Sequence, residues 1–99
     1  MKNLLTSIAL TLALATSAQA DQCQDAGDLA EAVMTARQNG APISQLMEIA
    51  NGQEIIVKMV LMAYGEPRYS TDEFQSRAIE DFRNLWETGC YQAMTEQGA

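Results

Sequence analysis

The sequence predicts an all-α domain, a small bundle of three main helices and one short helix, tied by one disulfide. Few residues favour strand, and apolar residues recur at spacings of three and four. Glycine and proline fall between the periodic segments. Cys23 and Cys90 are the only cysteines, and they stand near the two ends of the region that follows an N-terminal secretory signal.

The first periodic segment spans about Asp25 to Asn39. Ala26, Leu29, Ala30, Val33 and Ala36 share one face, while Glu31, Thr35 and Gln38 fall elsewhere. Asp25 or Asp28 suits the N-terminal turn, Arg37 the last turn, and Gly40 the close, with Pro42 just beyond. In Arg37-Gln38-Asn39-Gly40 the arginine complements the helix dipole and the glycine caps. A short helix follows from Ile43-Ser44 to about Ala50, with Ser44 as its cap and Asn51-Gly52 as its end. Gln53 to Tyr64 is the most hydrophobic segment after the signal, apolar around most of a helical circumference. Such a helix belongs at the centre of a fold or in an oligomer interface, which leaves room for a homodimer. The last helix opens at Ser70-Thr71-Asp72-Glu73, where Ser70 and Glu73 match a capping box, and runs to Tyr91 or Met94. Phe74, Ala78, Phe82, Leu85, Trp86 and Cys90 form its buried stripe, and the tail beyond Met94 is expected to fray.

The N-terminus sets the compartment. Lys2 precedes an apolar stretch from Leu4 to Ala15, and Ala18-Gln19-Ala20 offers small residues where a signal peptidase reads. Residues 1–20 are expected to be a cleavable signal, removed after Ala20, and residues 21–99 a single periplasmic domain. The stretch is short of the ~20 apolar residues that a membrane anchor needs, and no stable anchor is expected. An exported domain of this size has a marginal core and is commonly stapled. A Cys23–Cys90 bridge would close nearly the whole chain, worth about 4 kcal/mol in the loop-entropy view. The competing readings are a redox pair, which prefers cysteines close in sequence, and a metal site, which needs more ligands.

Charge excludes one class of partner. The net charge is −7, and loss of Lys2 leaves five cations against thirteen acids, a net of −8. Nucleic acid binding needs clustered Lys and Arg, so no nucleic-acid partner is expected. No histidine is present, which removes the commonest general base and metal ligand. No metal or cofactor is called for, and no phosphate-cradling glycine loop occurs. The carboxylates fall on polar helix faces or in caps, apart from Glu66 in the Tyr64-Gly65-Glu66-Pro67-Arg68-Tyr69 connection. A carboxylate hydrolase would rest on Glu66, but the expected reading is a protein that is not an enzyme. The same connection is the most distinctive surface: Met62, Tyr64, Glu66, Pro67, Arg68 and Tyr69 are the candidate contact for a protein partner. The methionines suit a core as well as an adaptable surface. The function expected is a small periplasmic interaction protein without cofactor, an inhibitor or accessory factor of an envelope or lysis enzyme. The alternative is an acid-stress holdase, whose carboxylates lose charge in acid so that the bundle loosens and exposes Ile55–Met62.

Cys23, Ala32-Val33-Met34, Ala36-Arg37-Gln38-Asn39-Gly40, Ala63-Tyr64, Pro67-Arg68-Tyr69, Phe82 and Cys90-Tyr91 resemble a family of small exported proteins. That family occurs in proteobacteria and their phages and carries no assigned activity. The resemblance implies a helical, disulfide-bonded domain and no catalytic residue. In plan alone, the chain is also similar to small periplasmic acid-stress chaperones.

Overall fold

The computed structural model describes residues 21–98 of the chain, so the segment expected to be a cleavable signal, residues 1–20, lies outside the described residues. Within this range four helices follow one another: α1 over residues 21–38, α2 Ile43–Ala50, α3 Glu54–Tyr64 and α4 Asp72–Gly98. They interact as an all-α bundle, and Cys23 is bonded to Cys90 across a Cα–Cα distance of 5.4 Å.

α1 and α4 run antiparallel, with Cys23 against Cys90 and Asp28 against Arg83. α1 is already helical at Asp21, so Cys23 sits within it, not ahead of it, and Asp25 and Asp28 are interior positions. Residues 21–24 carry little apolar periodicity. Their helix is held by the fully buried Cys23, a tertiary anchor that periodicity does not register. The other end closes as expected. Ala41 N–H bonds to Ala36 C=O at 3.0 Å and Gly40 N–H to Arg37 C=O at 3.1 Å, a Schellman pair around Gly40 at φ +86°.

Glycine is not confined to connections. Gly27 lies inside α1, where a Cβ would stand 2.7 Å from Glu87 Oε2, so its bareness permits the close α1–α4 crossing. Gly89 lies inside α4 with nothing within 4 Å of a Cβ.

Two further helix starts differ from expectation. Pro42, not Ser44, precedes α2, with φ −68° and ψ 143° and no side-chain cap. Proline presets the extended backbone that a cap residue requires, and Ser44 falls into the first turn. At α4 the cap is Thr71, whose Oγ1 accepts the Phe74 N–H at 3.3 Å, one residue beyond the Ser70–Glu73 capping box. Thr71→Ala is therefore expected to cost about 1 kcal/mol, and Ser70→Ala less than about 0.5 kcal/mol, read from urea midpoints. Asn51, in the left-handed region at φ 49°, ends α2 with Gly52 at φ 75°, as the Asn-Gly pair predicts. α4 continues past Met94 to Gly98.

The core gathers Ala30, Val33 and Met34 of α1, Leu46 of α2, Met59, Val60 and Ala63 of α3, and Phe82 of α4. Met34 and Met59 are core residues, whereas Met62 is exposed. α3 is not surrounded by the other helices: Ile55 and Leu61 are 61% and 53% exposed. Phe74 and Leu85, expected on the buried stripe of α4, are 48% and 54% exposed. Three helices, one of only eight residues, cannot cover a fourth that is apolar nearly all round.

Candidate functional site

The Tyr64–Tyr69 connection is latched to the end of α1. Arg37 donates from both Nε and Nη2 to the Glu66 carbonyl, at 3.1 and 3.0 Å, and its guanidinium lies 5.1 Å from the Tyr64 ring centroid. Tyr64 Oη donates to the Ala41 carbonyl at 2.5 Å. Gln38 is only 1% exposed; its Nε2 donates to the Pro67 carbonyl at 3.0 Å and its Oε1 accepts the Tyr69 N–H at 2.8 Å. Arg68 Nε returns a bond to the Gln38 carbonyl at 3.2 Å, and its guanidinium covers Gly40, where a Cβ would meet Cζ at 3.0 Å. Gln75 Nε2 donates to the Tyr69 carbonyl at 2.7 Å from the other side.

Arg37 and Gln38 thus act mainly on the connection, a role their place at a helix end conceals. No periodicity marks Gln38. A polar side chain on a helix that crosses an irregular segment is the one sequence signal that could have found it.

Of the candidate contact residues, Glu66, Pro67, Arg68 and Tyr69 are exposed and Tyr64 is half-buried. Glu66 and Tyr69 line a hollow of about 190 Å³ with Asp81, Phe82 and Leu85. Tyr69 also faces Phe74, ring centroids 6.2 Å apart. Met62 is not at this hollow; it belongs to a second one on the other side of Leu85.

That second hollow is a groove of about 550 Å³ between α3 and α4, next to the disulfide. α3 supplies Ile55, Lys58 and Met62, spaced three and four apart so that they share one face. α4 supplies Leu85, Trp86, Gly89, Cys90 and Ala93, and α1 adds Ala26. Gly89 leaves the α4 wall without a side chain, which keeps the groove open. Trp86 stacks obliquely on Phe82, centroids 6.3 Å apart, and its buried Nε1 has no hydrogen-bond partner. The lining is almost wholly apolar apart from Lys58.

The cations divide sharply. Arg83 bonds Asp28 at 2.6 Å, Glu31 at 3.1 Å and Glu87 at 3.4 Å, tying α1 to α4 on a face the sequence reads as merely polar. The hydrogen bond to Asp28 raises the Arg83 pKa; burial opposes this, and the charges of Asp28, Glu87 and Glu31 reinforce it. Arg77 pairs with Glu73 at 3.6 Å, as their i,i+4 spacing allows. Arg37 and Arg68 are committed to carbonyls. Among the described residues Lys58 alone of the cations meets neither a carboxylate nor a carbonyl, and it is exposed at the groove.

Among the described residues no three acidic or cysteine side chains cluster as metal ligands, and no helix is long and apolar enough to cross a membrane. Glu66 and Asp81 both line the smaller hollow and are both exposed. No protein-family model, curated protein or solved structure matches the chain.

Proposed function

We propose that this chain is an exported binding protein that works without a cofactor and whose contact face is the α3–α4 groove. The connection carrying Glu66 and Tyr69 borders it beyond Leu85. The observation that carries this reading is the exposure of Ile55, Leu85 and Met62 around one concave apolar surface. Large apolar side chains scattered singly need no explanation, but a contiguous concave set marks a binding site. The latch from Arg37 and Gln38 supports it further, because a held connection gives a preformed rim and lowers the ordering cost of binding. The signal-like pattern of residues 1–20, a lysine, an apolar stretch and Ala18-Gln19-Ala20, supports a periplasmic site of action.

Gly89 offers the test. Gly89→Ala is expected to stabilise the fold by about 0.8–1 kcal/mol, since it removes a mid-helix glycine and meets nothing. Gly89→Leu should keep the fold and fill the groove. Nile red, a neutral apolar dye, is expected to bind the native protein saturably at neutral pH and to lose that site in Gly89→Leu. Absence of dye binding, or binding unchanged in a folded Gly89→Leu, would overturn the reading.

A further inference from the structure

We infer that the groove takes a single-chain anionic amphiphile, a free long-chain fatty acid, with its chain against Trp86 and Leu85 and its carboxylate on Lys58. This rests on the binding reading above and names the ligand class.

Charge complementarity is the main support. The mature chain is strongly acidic, yet the one cation that its groove presents is the one without a polar partner among the described residues. An unpaired ammonium flanked on its own helix face by Ile55 and Met62 is a polar point set in an apolar lining, the pattern of a site that orients an amphiphile. Polarity along the face fixes the direction. Across Leu85 the neighbouring hollow carries the Glu66 and Asp81 carboxylates, which repel an anionic head and leave Lys58 as its seat. The volume, about 550 Å³, lies within the roughly 300–1,000 Å³ of small-molecule sites. A free monomer fits better than a bilayer surface, because a chain with a net charge of −8 after signal removal is repelled by anionic lipid. A second copy would bring an equal negative charge against the first.

Trp86 is the single tryptophan and lines the groove, so its emission reports occupancy directly. The test titrates the disulfide-intact exported protein with dodecanoate, dodecyltrimethylammonium and dodecyl maltoside, each below its micellar concentration. Dodecanoate is expected to bind and shift the Trp86 emission, and decanoate to bind about tenfold more weakly for two fewer buried methylenes. Lys58→Glu should weaken dodecanoate about tenfold, the size of a lost charge-assisted hydrogen bond, and strengthen the cationic analogue. Lys58→Arg should preserve dodecanoate binding, and Gly89→Leu should abolish it.

Equal binding of all three amphiphiles, indifferent to Lys58→Glu, would refute carboxylate recognition and leave the groove reading standing. Flotation with phosphatidylglycerol vesicles without a response to free dodecanoate would refute the monomer as ligand. A dimer in sedimentation that Leu85→Glu dissociates, with no amphiphile bound, would assign the face to a second copy and overturn the inference. Failure of every amphiphile and of Nile red together would overturn both readings.

Discussion

Replacing Cys23 and Cys90 together with serine is expected to lower the unfolding free energy by about 3–4 kcal/mol. The bridge spans 67 residues of sequence, so nearly the whole described chain regains its loop freedom in the unfolded state when it is removed. A domain of this size has a total stability of the same order, about 0.05–0.15 kcal/mol per residue. The double variant is therefore expected to be partly unfolded near body temperature, with urea melts by circular dichroism as the readout. The consequence is also local. Met94 Sδ packs 3.1 Å from Cys23 Sγ, and Cys90 borders the groove, so loosening this end frees the last turns of α4 first. Hydrogen exchange in the variant should rise most in residues 90–96 and in the first turn of α1. Uniform loosening would argue that the bridge acts on the unfolded chain alone.

Gln38 gives the second large effect. Gln38→Ala removes a donor to Pro67 and an acceptor for Tyr69 and leaves a void beneath the connection. The expected loss is about 2–3 kcal/mol, two hydrogen bonds near 1 kcal/mol each plus a cavity contribution.

Gln38→Glu sharpens the test through pH. While neutral, the carboxyl this variant introduces can donate to the Pro67 carbonyl and accept the Tyr69 N–H, as the amide does. Ionised, it has no proton to donate and has lost its hydration, so its pKa in the folded state is raised above the unfolded value of about 4.3. A raised carboxyl pKa contributes stability that is fully present below the unfolded pKa and is lost as pH rises through the folded one. The gap between this variant and the parent should therefore be small at pH 4 and widen toward pH 7 in parallel urea titrations. A gap independent of pH would refute the assignment of donor and acceptor.

The helical segments were legible because each carries its own local signal. Apolar spacing marks α1 and α4, and Gly40 and Asn51-Gly52 mark helix ends where the backbone must adopt positive φ. The starts were less legible. Pro42 and Thr71 each lie within two residues of the position expected, because several neighbouring residues can cap and only the packed backbone selects one. The candidate contact region was legible in part: aromatic and charged residues pointed to Tyr64–Tyr69, yet the structure commits much of its polar capacity to α1.

Helix positions, the two cysteines and the acidic balance follow from residue order alone, because they depend on neighbours within a few positions or on composition. The groove does not. Whether Ile55, Met62 and Leu85 are covered depends on how many helices can pack against α3, and periodicity reports an apolar face without saying what lies opposite it. The same holds for Gln38 and Arg83, polar residues on helices whose tertiary partners, Pro67 and Tyr69 for one and Asp28 and Glu31 for the other, lie 29 or more residues away in sequence. Only the packing of α1 against α4 and the connection brought those partners within hydrogen-bond reach. It also left Lys58 as the groove's free charge.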